Sequence, residues 1–175
     1  MKTIVIYKSK YGSTKQYAEW ISQSLDCECV SASTVKPADL LVYDTIIYGG
    51  GLYAEIIAGV TLITRNLDKL KDKKLIVYTT GITPLDCRDY YDKLVIDKNF
   101  KRCGLNGIKV FNFMGKMILD ELTTAHRTAI KALKKLMGDK PNPTDMEKLL
   151  IELCDKDGDF TDKSAICELI EYAKQ

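Results

Sequence analysis

The run Ile4-Val5-Ile6-Tyr7 drops straight into Lys8-Ser9-Lys10-Tyr11-Gly12-Ser13-Thr14, and that loop opens onto apolar residues at Tyr17, Trp20, Ile21 and Leu25. The first run predicts a buried strand, and the second set, at helical spacing, predicts a helix from near Ser13. A strand, a tight polar turn and a helix start together make an anion site. The first N–H groups of a helix have no intrahelical partner, and its dipole favours negative charge there. Ser9, Ser13 and Thr14 add hydroxyl donors, and Gly12 lets the backbone approach an anion closely. The simplest ligand is a phosphate group. Ser13-Thr14-Lys15-Gln16 also fits a capping box, which explains Ser13 and Gln16 but not three hydroxyls and a glycine packed together. The loop lacks the Gly-Lys-Ser/Thr ending of a P-loop and the three glycines of a dinucleotide fingerprint.

A chain of 175 residues, 46% hydrophobic and 29% charged, is long enough for one globular domain with a substantial core. Residues 1–175 are therefore expected to form a single domain. A C-terminal helical tail is expected from about 139, after the break Asp139-Lys140-Pro141-Asn142-Pro143. No apolar run approaches membrane-spanning length, and no signal-peptide pattern precedes the first strand, so a cytoplasmic protein without a transmembrane segment is expected. The six cysteines lack metal-type spacing and read as free thiols. Cys27 and Cys29 share one side of a strand and suit the core.

Strand-like runs fall at 3–8, around 27–31, and at 44–48, 74–79 and 107–113. Helical patterns lie between them, most clearly Ile56, Val60, Ile63, Leu67 and Leu70, with another near 87–98 carrying Tyr91, Leu94 and Val95. Alternation of this kind predicts an α/β fold, a doubly wound sheet of five parallel strands with helices on both faces. In the order 2-1-3-4-5, the switch point falls between the first and third strands. The rest of a ligand whose phosphate sits after strand one should then meet the loops after strands three and four. Those are Tyr48-Gly49-Gly50-Gly51-Leu52-Tyr53-Ala54 and Thr79-Thr80-Gly81-Ile82-Thr83-Pro84. Glycines there allow close backbone contact with a flat ring, and Leu52 or Tyr53 is placed to cover its face.

With these residues in view, the chain resembles the flavodoxins. Val5-Ile6-Tyr7, Ser9, Gly12, Thr14, Ala18 and Ile21 each occupy a position of the FMN-phosphate signature, and the resemblance covers roughly residues 1–115. It implies a flavodoxin-like fold and non-covalently bound FMN. By the same resemblance Ser9, Lys10, Tyr11, Gly12, Ser13 and Thr14 hold the phosphate. Gly50, Gly51, Leu52, Tyr53 and Ala54, with Thr80, Gly81, Ile82 and Thr83, hold the ring. Electron transfer follows, with the flavin carrying the chemistry and no residue needed as acid, base or nucleophile.

Within the family the chain is nearest the branch containing the menaquinone-linked protoporphyrinogen oxidase. The segments carrying this are Met1-Lys2-Thr3, Tyr43-Asp44-Thr45-Ile46-Ile47, Phe113-Met114-Gly115-Lys116, and His126-Arg127-Thr128-Ala129-Ile130-Lys131 through Met137-Gly138. A porphyrinogen oxidase of that kind is the alternative reading, with Lys116 and Arg127 as candidate docking cations. A flavin-free interaction scaffold is a third. Leu52 stands where that branch often has arginine, and residues 114–122 are short of basic and aromatic side chains, so electron transfer is the primary reading. A redox partner protein or a quinone is implied, and a homodimer is compatible with the sequence.

A net charge of +2 supplies neither the acidic field typical of flavodoxin shuttles nor the basic one of a nucleic-acid binder. Three other patterns read as structural. Gly49-Gly50-Gly51-Leu52-Tyr53-Ala54 satisfies G-x-G-x-x-A, but Asp68 precedes the next strand rather than ending it. Asp155-Lys156-Asp157-Gly158-Asp159-Phe160 lacks the glycine and glutamate of a calcium loop and reads as a solvated turn before a helix at 162–173. His126, the one histidine, lies on a helix predicted over 123–137, where a surface position away from the ring is expected.

Overall fold

The computed structural model describes residues 1–105 and 107–175. Strand β1 (Thr3–Lys8) leads through the polar loop into helix α1 (Ser13–Leu25), then β2 (Glu28–Ser31) and a 3-10 turn at Pro37–Val42. Strand β3 (Thr45–Tyr53) folds back as β4 (Ile56–Ile57), followed by short helices α2 (Thr61–Thr64) and α3 (Leu67–Leu70). Strand β5 (Lys74–Gly81) precedes a π-helical turn at Tyr90–Val95 that runs into α4 (Ile96–Phe100). Beyond β6 (Lys109–Met114) come β7 (Lys116–Met117), α5 (Thr124–Gly138), α6 (Asp145–Leu153), β8 (Gly158–Asp159) and α7 (Cys167–Lys174).

Five parallel strands run in the order β2-β1-β3-β5-β6. Numbered among themselves, these are the expected 2-1-3-4-5, with β4 added antiparallel beside the end of β3. Their centres are apolar on both faces because helices cover both. Val5 is in register with Ile47, and Ile47 with Ile76. These three pack with Tyr17, Ala18 and Ile21 of α1 and with Leu169 and Ala173 of α7. The alternate residues Ile4, Ile6, Ile46, Tyr48, Leu75 and Val77 face Ile63, Leu70, Val95 and Phe100 on the other side. Each such side chain, taken fully from water, stabilises the fold by roughly 1.5–3 kcal/mol before the cost of ordering it.

Two expectations for the helices are corrected. The apolar stripe from Ile56 to Leu70 is not one helix. Ala54 and Glu55 both adopt positive φ (48° and 62°) and reverse the chain into β4, and Gly59 at φ 71° turns it again. Ile57, Val60, Ile63 and Leu70 are buried all the same, each turn dipping one apolar residue inward, while Ile56 is exposed. The hairpin tip is tied down by Asn99, whose Nδ2 donates to the Glu55 carbonyl (2.7 Å) and whose Oδ1 accepts from the Ile57 N–H (2.9 Å). The helix near 87–98 is displaced to the π-helical turn and α4. Tyr91 and Val95 point inward as expected, but Leu94 is exposed.

The helix after the fifth strand lies mostly outside the core. Helix α5 forms where predicted, yet among its described residues only Met137 is buried. The sheet face beside α1 is filled instead by Ile166, Leu169 and Ala173 from the C-terminal segment. The Tyr17 hydroxyl joins these parts, donating to the Met114 carbonyl and accepting from the Asp162 N–H, both at 2.9 Å. The acidic turn at 155–159 is structural. Asp157 accepts from the Leu119 N–H at 2.7 Å, and Asp155 pairs with Lys134 at 2.6 Å. Among the described residues no helix is long and apolar enough to cross a membrane.

Candidate functional site

The polar loop leaves β1 at the carboxyl edge of the sheet, beside the β1–β3 switch point, where an open α/β sheet leaves a crevice. Gly12, at φ 93°, is the residue that caps α1, and no side chain caps the helix start. The capping-box reading is therefore overturned. The Ser13 hydroxyl instead accepts from the Lys116 N–H at 2.9 Å. The Ser9 hydroxyl accepts from the Gly12 N–H at 3.1 Å, closing the loop on itself. Both hydroxyls keep their own hydrogen to donate. Thr14 is buried and its hydroxyl meets that of Thr80 at 2.7 Å, joining the loop to the end of β5. Beneath them the fully buried Tyr78 donates to the Thr14 carbonyl at 2.8 Å, and burial holds its phenol well above the ordinary value. The start of α1 is thus fixed to the sheet at two points.

Of the residues singled out in the sequence, Ser9, Tyr11, Gly12, Ser13, Thr14, Leu52, Tyr53, Thr80 and Gly81 converge on this edge. The Gly115 N–H donates to the Gly81 carbonyl at 2.7 Å, and a Cβ on Gly81 would stand 3.5 Å from Leu52 Cβ. Tyr53 folds back so that its hydroxyl lies 3.0 Å from where Gly51 would carry a Cβ. Burial, helped by Tyr11 nearby, pushes the Tyr53 phenol up to about 12. Lys10 is exposed and reaches Thr123 Oγ1 at 3.5 Å.

Other residues turn elsewhere. The segment expected as a glycine loop is strand, with β3 running through Tyr53, which also rules out a dinucleotide turn there. A Cβ on Gly49 would collide with the Tyr78 ring, and one on Gly50 would come 2.5 Å from Ile57 Cγ2. Packing between strands therefore accounts for both glycines. Ala54 sits exposed in the hairpin turn, and Thr83 is buried with its carbonyl accepting from the Tyr91 hydroxyl at 2.5 Å. Ile82 is half-buried on the way out of β5.

Two further residues enter the site, His126, expected apart from it, and Lys116, named in the sequence only as a candidate docking cation. His126 Nδ1 is 2.7 Å from the Tyr11 hydroxyl, and its ring lies 4.9 Å from that of Tyr53 at a 30° tilt. His126 is half-buried at the surface but lies beside Tyr11 and Tyr53 rather than apart from them, because α5 starts directly over the polar loop. Thr123 caps the helix there, and its own N–H donates to the Tyr11 hydroxyl at 3.3 Å. Burial, then the Lys10 charge, depress the His126 pKa below its ordinary value. Burial raises the Tyr11 phenol, but hydrogen bonds to Thr123 and the Lys10 charge outweigh it, so its pKa is lowered overall. Lys116 is the second arrival, its ammonium over Gly12. The sequence signal for Lys116 is its place just after a parallel strand, at the edge where such sheets bind ligands. His126 carries no comparable signal.

The arrangement offers an anion seat made of hydroxyls, helix N–H groups and lysine, with aromatic rings one strand away. The Cys87 thiol beyond β5 is pushed up by burial and by Asp86, and Cys27, packed under α1, is pushed up to about 11 by burial, then Cys29 and Asp26.

The family model described as flavodoxin domain matches residues 4–144 of the chain. Among solved structures, the fold is similar to a WrbA-like flavodoxin from Agrobacterium tumefaciens, at 15% identity, 98% of each chain and a TM-score of 0.49. It is similar to a flavodoxin from the domain Archaea, at 17% identity, 89% of this chain, 97% of that one and a TM-score of 0.44. For oxidised flavodoxin 1 from Bacillus cereus the figures are 17%, 86%, 92% and 0.45. No curated protein matches the chain.

Proposed function

We propose that this chain, which belongs to the flavodoxin domain family, holds FMN without a covalent bond and works in electron transfer. The observation that carries the reading is the closed loop Ser9–Thr14 at a helix start that no side chain caps, with Lys116 above it and Tyr53 at the end of the neighbouring strand. The residues present fit the group. A phosphate monoester needs donors and positive charge, and Ser9, Ser13, the first helix N–H groups and Lys116 supply both. The isoalloxazine needs a flat apolar edge, for which Leu52, Gly81 and the Tyr53 ring are placed. Bound FMN would supply the redox chemistry. The protein's part is to bind and orient it, with Tyr78 and Thr80 holding the loop in place and Tyr53 and His126 shielding one side from water.

A redox partner protein or a quinone would exchange electrons with the flavin. The cations that a porphyrinogen-docking role would recruit are turned to other work, which favours the carrier reading. Arg127 donates to the Leu119 carbonyl at 2.9 Å and lies 3.7 Å from Asp120, and Lys116 is turned over the polar loop. The test is the visible spectrum of the purified protein, alone and after FMN is added. Flavin absorption that co-purifies, or a perturbed spectrum on addition, supports the reading, and an unchanged free-flavin spectrum contradicts it. Anaerobic addition of protoporphyrinogen then separates the roles, since rapid bleaching of the flavin would favour the oxidase.

A further inference from the structure

We propose that Lys116 is the cation that neutralises the ligand's phosphate at residues 9–14, a role that rests on the FMN reading above. Lys116 opens β7 directly after Gly115, and the backbone there is held on two sides. The Lys116 N–H donates to Ser13 Oγ, and the Gly115 N–H donates to the Gly81 carbonyl. From that anchored position the side chain turns over the loop. Its Cε and Nζ lie 3.4 and 3.5 Å from the point where Gly12 would carry a Cβ. A full positive charge therefore rests beside Gly12, over the open side of the loop where a side chain would otherwise project.

The surroundings leave that charge available. Among the described residues the ammonium makes no ion pair or hydrogen bond. Asp159 stands opposite Lys116 across β7 and β8, but its Oδ1 accepts from the Thr161 hydroxyl at 2.7 Å and from the Thr161 N–H at 3.0 Å. Those bonds come first in holding Asp159 below the usual carboxylate range, and Lys116 is the least of the causes. Lys10, the other cation of the loop, is directed to Thr123 and lies over the Tyr11 ring. Ser13 Oγ, already accepting from the Lys116 amide, has its hydrogen left to donate outward. One residue thus acts twice, its amide orienting a hydroxyl donor and its ammonium meeting the charge. A phosphate monoester is close to a dianion at neutral pH, and charge-assisted bonds to it are the strong ones.

Lys116→Gln removes the charge but keeps the amide, so the bond to Ser13 and the fold are retained. FMN affinity should fall about tenfold or more, the scale of one lost charged hydrogen bond. Riboflavin, which has no phosphate, should change by less than about twofold, and Lys116→Arg should recover most of the FMN affinity. Equal FMN affinity in wild type and Lys116→Gln overturns the proposal and leaves the FMN reading standing. If wild type binds no FMN, that reading fails, and inorganic phosphate decides the role of Lys116. Movement of the Gly12 and Ser13 amide resonances on adding phosphate to wild type but not to Lys116→Gln supports it. The same shifts in both proteins, or none in either, overturn it.

Discussion

The hydroxyl of Tyr11 lies 2.7 Å from Nδ1 of His126, 115 residues away in the chain, and closes the start of α5 over the polar loop. The Thr123 N–H donates to that hydroxyl at 3.3 Å, so the phenol oxygen is held by the helix start as well as by the imidazole. The Tyr53 ring lies 4.9 Å from the same imidazole at a 30° tilt, and 6.3 Å edge-on from that of Tyr11. One residue outside the sheet therefore touches the aromatic side chains of the polar loop and of the end of β3, which the sheet itself brings to one edge.

That relationship predicts a pH dependence with a definite sign. Burial and Lys10 lower the His126 pKa below the ordinary 6.5, so below that pH the unfolded chain takes up a proton that the folded one refuses. Stability is complete above the unfolded value and falls as pH drops from there towards the folded value. Because the chain has one histidine, its imidazole proton resonance reports the titration without ambiguity. A midpoint below 6.5 is expected, and a midpoint above it would mean that the Tyr11 contact favours the charged ring.

The buried Thr14–Thr80 pair predicts non-additivity. Thr14→Val strands the Thr80 hydroxyl away from water and should cost about 1–3 kcal/mol in urea unfolding. Replacing both threonines by valine removes the unmet bond and should recover most of that loss. A double variant as unstable as the sum of the singles would show that the hydroxyls have other partners.

Gly49 and Gly81 should respond differently to the same change. Alanine at Gly49 runs into the Tyr78 ring, which is itself fixed to Thr14, so a loss of about 3 kcal/mol or more is expected. At Gly81 the added methyl meets Leu52 at an ordinary contact distance, and the loss should stay under about 1 kcal/mol. Thermal melts of the two variants measure the contrast, and equal losses would count against packing as the reason for Gly49.

The parts of this fold legible in the sequence are those whose causes are local. Ile4, Val5 and Ile6 must be buried on both faces, and the hydroxyl loop before Tyr17 announces a strand, a turn and a helix within 25 residues. The alternation of strands and helices then points to a doubly wound parallel sheet, of which 2-1-3-4-5 is one common order. What was not legible depends on partners far along the chain. The hairpin at Ala54–Glu55 uses neither Asn nor Gly to reach positive φ, and Asn99 and Lys98, more than 40 residues on, hold it there. The stripe from Ile56 to Leu70 has helical spacing, but a chain of short turns also buries an apolar residue every three or four positions. His126 follows a Thr cap on an amphipathic helix, a pattern that says nothing about which surface the helix start will meet. Gly49 and Gly50 were read as room for a ring, when what they make room for is Tyr78 and Ile57.

The most direct test of the account is a fluorescence titration of the protein with FMN, riboflavin and FAD in parallel. A seat built around a terminal phosphate predicts that FMN is quenched at the lowest concentration, with riboflavin and FAD binding more weakly. Adding Ser9→Ala and Ser13→Ala should then weaken FMN by about 1.5–3 kcal/mol per lost bond and riboflavin by much less. Riboflavin bound as tightly as FMN, or no quenching of FMN at high micromolar concentration, would contradict it.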